Sequence, residues 1–313
     1  MGAAALIAID WGTTAARAYR LDAAGRVVGQ RSAPLGIQQV RDGAFGAALA
    51  ALLGDWAADP APRIACGMIG SRQGWVEAPY CRCPAALDAL AAALARTPDR
   101  MLAIVPGLTC VDAAGVPDVM RGEETQVFGV IAAEGEAGSR RELIVLPGTH
   151  SKWAVVSGGR IDAFATFLTG ELYAVLKDHS ILGRMMPTGA DAGLEPSAAY
   201  QRGVRRGLDG APAGASLLHD LFGTRTLALF GDLAPAATAD YLSGLLIGNE
   251  IREGRAWATG LGVSTGHVRL VGAPALTERY AAALAQAGTA AIAGPADAAA
   301  TGLWRIARGA SLV

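Results

Sequence analysis

The sequence predicts an α/β protein with two lobes, each built on a mixed sheet that contains a β-meander and is flanked by helices. Residues 5–31 have the order strand, Gly-Thr-Thr turn, strand, glycine turn and strand, and residues 142–167 repeat this order. Repetition at this spacing indicates a duplicated domain pair, with one polar turn from each copy facing a common cleft. The alternative is chance similarity between two meanders, since hairpins are frequent in proteins.

Composition limits the classes of protein that this chain can belong to. Its 313 residues are 52% hydrophobic and 18% charged, which favours a compact globular chain over a disordered one. The 27 basic and 28 acidic residues nearly cancel and form no basic block, which argues against a nucleic-acid partner. The N-terminus lacks a signal-peptide pattern, and no stretch approaches the roughly 20 apolar residues of a membrane span. We therefore expect a cytoplasmic protein without a membrane partner; a homodimer stays open.

The four cysteines form neither a CxxC pair nor a zinc spacing. Reduced structural thiols are favoured in an intracellular chain. For Cys81 and Cys83, metal ligation and a strained disulfide stay open as alternatives. Cys66 and Cys110 stand apart from them in the sequence.

The first strand carries the most informative turn in the chain. Residues 6–9 are an apolar run with β-branched members, which is typical of a buried strand, and Asp10 follows directly. Gly12, Thr13 and Thr14 then add backbone N–H groups and two hydroxyls at one point. This combination suits a polyphosphate with Mg²⁺, because amides and hydroxyls meet phosphate oxygens while the carboxylate meets the metal. Taken alone, the segment is more typical of an ordinary hairpin turn.

The rest of the first half alternates between strands and helices. Phe45, Leu49 and Trp56 recur at helical spacing, for example, which predicts an amphipathic helix over residues 42–58. The predicted elements are strand 27–31, helix 42–58, strand 63–68, helix 87–95, strand 101–105, helix 118–133 and a surface loop at 134–138.

The second half begins with the repeated meander and then becomes mostly helical. Its predicted elements are strands 142–146, 152–156 and 160–167, helix 170–177, a mixed Gly/Pro-rich region at 182–208, helices 215–230 and 237–253, strand 268–271, helix 276–287, strand 290–292 and helix 296–308. We expect an N-terminal lobe over residues 1–117 and a C-terminal lobe over 118–295 that includes the connecting helix. Residues 296–313 would form a closing helix that packs back between the lobes.

Three stretches resemble the nucleotide-binding loops of the actin-like ATPase and sugar-kinase superfamily. Ile-Ala-Ile-Asp-Trp-Gly-Thr-Thr (7–14) resembles its first phosphate loop, and Leu-Pro-Gly-Thr-His-Ser-Lys-Trp (146–153) lies where the second belongs. Val-Gly-Ala-Pro-Ala-Leu (271–276) is similar to its adenosine loop, where small residues let the base approach the backbone. The resemblance implies the actin-like ATPase (ribonuclease H-like) fold.

A narrower resemblance is to the 2-dehydro-3-deoxygalactonokinase family. It rests on Gly-Met-Ile-Gly-Ser-Arg-Gln-Gly-Trp-Val-Glu-Ala-Pro-Tyr (67–80), Arg-Gly-Glu-Glu-Thr-Gln (121–126), Pro-Gly-Thr-His-Ser-Lys-Trp (147–153) and Thr-Phe-Leu-Thr-Gly-Glu-Leu (166–172). The family implies ATP-dependent phosphorylation of the 6-hydroxyl of 2-dehydro-3-deoxy-D-galactonate in galactonate catabolism, with ATP and Mg²⁺ as cofactors and a small sugar acid as substrate.

The resemblance implies a role for each polar group of the nucleotide loops. Asp10 is expected to hold Mg²⁺, and Lys152 to offset charge on the transferred group. Nucleotide contacts are expected from Gly12, Thr13, Thr14, Arg17, Gly148, Thr149, Gly272 and Ala273. The wider superfamily usually has an acid in the second loop, where this chain has Pro147. The base is therefore not readable by transfer, and Asp10, Glu124 and His150 are candidates.

Substrate contacts are expected from a separate set of residues. Arg72 offers a planar cation for the substrate carboxylate, and Gln73 offers an amide; the alternative for Arg72 is an ordinary surface arginine. Trp75 is equally typical of the core and of a floor under the carbon chain. Ser71 lies in the same Gly-bounded turn.

Two helix starts add further candidates. Glu123 and Glu124 are adjacent on a helix, so at most one of them can face a cleft squarely. Thr169 and Glu171 begin another helix and are expected to close the substrate pocket, although Glu171 is also typical of a helix N-terminal charge. A kinase of a related hexonate and a non-catalytic sugar- or nucleotide-binding regulator are the rival functions.

Overall fold

The computed structural model describes residues 4–133, 141–210 and 216–313. The chain divides into two compact units that interleave along the sequence. Unit 1 comprises Met1–Arg140, Val156–Phe164 and Pro295–Val313, and unit 2 comprises Arg141–Val155 and Ala165–Gly294. The lobe boundaries expected at residues 117/118 and 295/296 stay predictions.

The main sheet of unit 1 contains the predicted β-meander. Strands β1 (Leu6–Trp11), β2 (Ala16–Leu21) and β3 (Val27–Ala33) pair antiparallel in sequence order. Helix α1 (Phe45–Leu53) and a 3₁₀ turn (Gly54–Ala58) lead to β4 (Arg63–Gly67), which pairs parallel to β1 with Asp10 opposite Cys66. β1 is buried on both faces, as its apolar run predicts.

The remaining elements of unit 1 are short. In chain order they are β5 (Tyr80–Arg82), β6 (Ala85–Ala86), α2 (Leu87–Ala92), β7 (Ala95–Arg96), β8 (Ala103–Ile104), β9 (Gly107–Val111), β10 (Pro117–Met120) and α3 (Glu123–Ala133). The main sheet has the order β3-β2-β1-β4-β8-β7, and a second sheet has the order β10-β9-β5.

The helix predicted over residues 118–133 is wrong in its first turn. Residues 118–120 belong to β10, which pairs antiparallel with β9, and the helix starts only at Glu123. Gly122 has a φ of 110°, a left-handed conformation that no α-helix contains, and it therefore separates the strand from the helix. The predicted loop at 134–138 lies outside the described residues.

The third sheet contains the second predicted meander. The elements are β11 (Glu142–Leu146), β12 (Ser151–Ser157), β13 (Arg160–Phe167), α4 (Thr169–His179), α5 (Ala198–Asp209), α6 (Leu217–Leu229), α7 (Thr238–Gly260), β14 (His267–Leu270), α8 (Pro274–Gln286), β15 (Ala290–Ala293) and, in unit 1, α9 (Ala298–Gly309). The sheet order is β15-β14-β11-β12-β13-β6, which confirms β11, β12 and β13 as neighbours. The distal end of the β12–β13 hairpin belongs to unit 1, where β13 pairs with β6.

Helix α5 was not predicted, because its region is rich in glycine. Its glycines instead serve the packing of α5 on α7. A Cβ on Gly203 would lie 2.2 Å from the Tyr241 carbonyl oxygen, and one on Gly207 would lie 2.4 Å from that of Leu245. Glycine lowers helix propensity, but here it lets two helix backbones approach closely.

Each unit has a core of its own. Trp11, Trp56 and Phe45 belong to the core of unit 1, whereas Trp153, Tyr200 and Tyr280 belong to that of unit 2. None of the helices in the described part of the chain combines the length and the apolar character that crossing a membrane requires.

Helices α3 and α9 pack against each other in unit 1 through glycines. A Cβ on Gly302 would lie 1.9 Å from the carbonyl oxygen of Thr125, and one on Gly129 would lie 1.9 Å from that of Ala298. A methyl group at either position meets backbone atoms, which cannot move aside as a flexible side chain can.

We predict that Gly302→Ala lowers the free energy of unfolding by about 1–3 kcal/mol through overpacking. Gly223→Ala is the matched control, because Gly223 is also helical and no heavy atom lies within 4 Å of its added Cβ. That control should be neutral or stabilising by up to about 1 kcal/mol. Urea titration of both variants measures the difference, and equal stabilities would contradict the packing described here.

Candidate functional site

Asp10 lies at the carboxyl end of β1, and its side chain is 17% exposed. Arg17, directly opposite on β2, has Nη1 4.0 Å from Asp10 Oδ2, and the Cys66 thiol lies 3.9 Å from Oδ1. Burial raises the pKa of Asp10, while Arg17 opposes that rise. A nearby cation would therefore favour the charged carboxylate further.

The turn after Asp10 is supported from outside. The carbonyl oxygens of Gly12 and Thr13 accept hydrogen bonds from the N–H groups of Ile37 (3.1 Å) and Gln38 (3.2 Å). A Cβ on Gly36 would lie 2.3 Å from Thr13 backbone atoms, so the two segments lie backbone to backbone. Thr13 and Thr14 are exposed, which leaves their side chains accessible to a ligand.

The first turn of α3 places two acids beside this strand end. Glu124 is fully buried, and its carboxylate accepts hydrogen bonds from the Gly122 N–H (2.6 Å) and the Thr125 hydroxyl (3.0 Å). Glu123 is partly exposed and accepts one from the Arg121 N–H. Burial, and next the charge of Glu123, raise the pKa of Glu124 to about 8.

Cys66 connects these acids. Its burial, followed by the negative charges of Asp10 and Glu124, raises the pKa of the thiol well above its ordinary value. Gly67 and Gly122 permit the approach, because a Cβ on Gly122 would lie 3.1 Å from the Gly67 Cα. The ends of β1, β4 and α3 thus form one acidic corner in unit 1.

The proposed substrate loop follows β4. The Arg72 side chain is 88% exposed, and its Nε lies 3.5 Å from Glu77 Oε1. Gln73 is exposed, while the Ser71 hydroxyl donates to the Met68 carbonyl at 2.7 Å. Arg72 and Glu77 therefore form an exposed ion pair on this loop. Glu77 was not among the residues predicted from the sequence.

Trp75 belongs to the core in part. Its ring stacks on Phe45 with centroids 6.1 Å apart and planes at 13°, and it is partly buried. The same Phe45 ring meets Trp11 edge-on. This packing anchors the end of the substrate loop to the core of unit 1.

Arg121 anchors the loop from below and was missed by sequence reasoning. It is 8% exposed, donates from Nη2 to the Ala78 carbonyl at 2.8 Å, and places its guanidinium 4.3 Å from the Tyr80 ring centroid. A Cβ on Gly70 would lie 3.0 Å from Arg121 Nη1, so Gly70 makes room for it. Arg121 opens the motif at 121–126 that contains the two acids of α3, and this position was the only sequence signal for its role.

In unit 2, the second candidate phosphate loop follows β11. The first turn of α4 lies directly on it: the Glu171 N–H donates to the Thr149 carbonyl at 3.0 Å, and a Cβ on Gly170 would lie 2.5 Å from the Gly148 carbonyl oxygen. Exposed His150 contacts Glu171 through Nε2 and Oε2, 2.5 Å apart. Thr169, which begins α4, is buried.

Lys152 lies in β12 and not in the turn. It is 4% exposed, and its ammonium donates to the Thr166 hydroxyl at 2.8 Å. Thr149 and His150 are exposed, whereas Ser151 and Lys152 are buried. The four polar groups of this motif are therefore divided between an accessible turn and a buried strand.

The candidate adenosine loop meets the second phosphate loop. Strand β14 pairs parallel to β11, so the carboxyl ends of both strands lie at one edge of the sheet. A Cβ on Gly272 would lie 3.4 Å from the Pro147 carbonyl oxygen, in ordinary contact. Ala273 then precedes α8, whose N-terminus is at Pro274. In open α/β sheets, ligands bind at such strand ends.

The donor set suits Mg²⁺ held mainly through its ligand. Among residues 4–133, 141–210 and 216–313, no group of three or more His, Cys, Asp or Glu is placed to hold a metal ion. Mg²⁺ typically keeps several waters and binds one or two carboxylates together with substrate phosphates. Asp10, close to the exposed Thr13 and Thr14, fits that mode.

Comparison with solved structures identifies the fold class. The fold is similar to that of an activator of 2-hydroxyisocaproyl-CoA dehydratase from Clostridium difficile, solved with bound ADPNP. The superposition covers 98% of this chain and 96% of that chain, with a TM-score of 0.51 and 14% identity. This likeness concerns the fold, and the predicted two-lobed actin-like ATPase class is confirmed.

Sequence comparison assigns the chain to one family within this fold class. The model of the 2-keto-3-deoxy-galactonokinase family matches residues 10–306, and the chain belongs to this family. A 2-dehydro-3-deoxygalactonokinase of Escherichia coli K12 is 36% identical over 276 residues, 88% of this chain and 87% of that protein. A crystal structure of a putative 2-dehydro-3-deoxygalactonokinase from Sinorhizobium meliloti has a TM-score of 0.86 at 37% identity, over 97% and 98% of the two chains. The chain is thus a carbohydrate kinase.

Because the pKa of Glu124 is raised, we predict that the free energy of unfolding depends on pH through this residue. Its folded pKa of about 8 lies above the ordinary 4.5, so the folded state holds the proton more tightly than the unfolded state. The resulting stabilisation is complete below pH 4.5 and is lost as pH rises towards 8. Glu124→Gln removes this loss, so the stability of the variant relative to the wild type should rise between pH 5 and 8 by up to about 1.4 kcal/mol per pH unit.

Glu77→Gln is the control, because it also removes one carboxyl from unit 1 but from a side chain that is 55% exposed. Urea titrations at several pH values measure both variants. A pH-independent difference between Glu124→Gln and the wild type would refute the assignment of a shifted carboxyl.

Proposed function

We propose that this kinase transfers the γ-phosphate of ATP to the 6-hydroxyl of 2-dehydro-3-deoxy-D-galactonate. Family membership and the name of the Escherichia coli relative support this substrate. The observation that carries the nucleotide assignment is the parallel pairing of β14 with β11, which brings the second phosphate loop and the candidate adenosine loop to one sheet edge.

Unit 2 supplies nucleotide contacts in this proposal. Gly148 and Thr149 bind the β/γ-phosphates through backbone and hydroxyl groups, and Gly272 with Ala273 binds the adenosine. Glu171 orients the His150 ring, which donates to phosphate or assists proton removal. Lys152 is buried in β12, and its ammonium offsets negative charge on the transferred phosphoryl group.

Unit 1 supplies the metal and the first phosphate contacts. Gly12, Thr13, Thr14 and Arg17 meet phosphate oxygens, and Asp10 holds Mg²⁺ through water. When bound, Mg²⁺ neutralises the charge that spreads over the phosphate oxygens during transfer. Positioning and electrostatics carry most of this chemistry, and the base adds a smaller factor.

The structure bears on the choice among the three candidate bases. Glu124 is fully buried, and both of its carboxylate oxygens already accept hydrogen bonds at the start of α3, from the Gly122 N–H and the Thr125 hydroxyl. Asp10 is the acid nearest the exposed threonines and is assigned to the metal. His150 is the exposed candidate, with a carboxylate beside it.

Substrate recognition is assigned to the loop after β4 and to the start of α4. Arg72 is exposed, so its guanidinium can exchange Glu77 for the substrate carboxylate in a bidentate pair. Gln73 and Ser71 offer hydrogen bonds to substrate hydroxyls. Thr169 and Glu171 complete the set.

We predict substrate-dependent ADP release from Mg·ATP with 2-dehydro-3-deoxy-D-galactonate, and phosphorus and carbon NMR should locate the phosphate at C6. Arg72→Ala should lower kcat/KM by 10²-fold or more, on the order of several kcal/mol, because a charged pair with the substrate is lost. Turnover of a neutral sugar, if any occurs, should change little.

Arg96→Ala is the control, since Arg96 is an exposed arginine on the edge strand β7. Turnover of a different sugar acid but not of the keto-deoxygalactonate would reject the named substrate and retain the class. Equal kinetics for Arg72→Ala and Arg96→Ala would reject the role of Arg72.

A further inference from the structure

Unit 2 contains a buried carboxylate that the proposed mechanism does not use. Glu250, in α7, is 1% exposed. Its Oε1 accepts a hydrogen bond from the Trp153 indole at 2.9 Å, and its Oε2 accepts one from the Tyr280 hydroxyl at 2.6 Å. Thr169 and Ser151 also lower its pKa. The two donors come from β12 and α8, so one carboxylate joins two elements to α7.

The hydrogen bonds continue from this carboxylate to the second phosphate loop. Tyr280 Oη lies 2.9 Å from Ser151 Oγ, and the Gly148 N–H donates to Ser151 Oγ at 3.4 Å. Each residue is buried except Gly148, which is partly exposed at the loop. The chain of contacts therefore runs from the core of unit 2 to its candidate phosphate site.

Donor and acceptor chemistry gives this chain a direction. The Tyr280 hydroxyl has one proton and donates it to Glu250, so it can only accept a hydrogen bond from Ser151. The Ser151 hydroxyl then donates to Tyr280, which leaves its lone pairs for the Gly148 N–H. A buried chain of hydrogen bonds with one direction strengthens each member.

The carboxylate is retained at a cost. Burial is the main cause that raises the pKa of Glu250, and the polar groups of Thr169, Tyr280, Trp153 and Ser151 oppose this rise. A buried carboxylate is expensive even when its oxygens are well hydrogen-bonded. A structural role alone would be served at lower cost by apolar residues of similar volume.

Members of the chain, together with Thr169, lie on three elements beside the candidate nucleotide site of unit 2. Tyr280 is on α8, the helix that begins after Gly272 and Ala273. Thr169 begins α4, whose next residue, Gly170, lies against Gly148. Ser151 begins β12, directly after the phosphate loop.

We propose that Glu250 and Tyr280 are positioning residues, which hold the Gly148–Ser151 loop and helix α8 in the arrangement that binds nucleotide. Neither touches the nucleotide; both act through Ser151 and Gly148. This inference rests on the proposed function in one respect, namely that the loop binds ATP phosphates.

Tyr280→Phe tests the chain at its centre, because it removes one hydroxyl and keeps the ring. We expect the Kd of Mg·ADP, measured by isothermal titration calorimetry, and the KM for ATP to rise roughly three- to tenfold, the equivalent of one buried hydrogen bond. The KM for the sugar acid should stay unchanged. Glu250→Gln should weaken nucleotide binding as well, since its amide cannot accept from both Trp153 and Tyr280.

Thr289→Val is the control. Thr289 is 2% exposed in unit 2, and its hydroxyl donates to the Thr265 carbonyl at 2.9 Å, so this bond joins the segments before β14 and β15 and involves neither the phosphate loop nor α8. The variant loses one buried hydrogen bond, as Tyr280→Phe does, but should leave nucleotide binding unchanged. If Tyr280→Phe fails to fold, Ser151→Ala breaks the next link with a smaller change in the core and should weaken Mg·ADP binding by the same factor.

The outcomes separate the inference from the proposed function. Wild-type protein that does not bind Mg·ADP would overturn the assignment of the loop, and this inference with it. Wild-type protein that binds Mg·ADP, together with Tyr280→Phe or Ser151→Ala binding it equally well, would overturn the positioning role alone. The same would follow if Thr289→Val weakened nucleotide binding as much as Tyr280→Phe.

Discussion

Both candidate phosphate loops depend on a glycine from another segment that lies directly on their backbone. In unit 1, Gly36 lies against Thr13 and Thr14; in unit 2, Gly170 lies against Gly148 and Thr149. Any side chain at Gly36 or Gly170 would meet backbone atoms at 2.5 Å or less. Because each loop is supported by backbone contacts on one side, it keeps its shape while its other side stays accessible. This constraint supplies the preorganisation that phosphoryl transfer requires.

The two units differ in the chemistry that they present at these loops. Unit 1 gathers acids, with Asp10 and Glu124 around the Cys66 thiol. Unit 2 presents the backbone of a Gly-Thr turn, a histidine with a carboxylate beside it, and the N-terminus of α8. The first set suits a cation, and the second suits anionic phosphate.

Local sequence patterns predicted much of the fold. The two meanders, the loops after β1 and β11 and the long helix α7 follow from runs of apolar residues and from glycine turns, which act over a few neighbouring positions. The patterns failed where glycine has a tertiary purpose. The glycines of α5 indicated irregular structure but serve close packing on α7, and Gly122 marks a strand–helix junction inside a predicted helix.

The site was predictable only in its loops. Arg72, Thr149 and His150 were expected as accessible groups and are exposed, whereas Lys152 is buried within a strand. Arg121, Tyr280 and Glu250 were not identified, because their partners are distant in sequence: Tyr280 lies 129 positions from Ser151. No periodicity or motif encodes such pairs, and only the folded chain brings them together.

Hydrogen exchange in the presence of Mg²⁺ and a non-hydrolysable ATP analogue tests whether the two candidate loops bind nucleotide phosphates. If both loops bind the phosphates, the backbone amides of residues 12–15 and 148–151 should both exchange more slowly with the analogue than without it. Slower exchange at the start of α8 with no change in either loop would contradict the account.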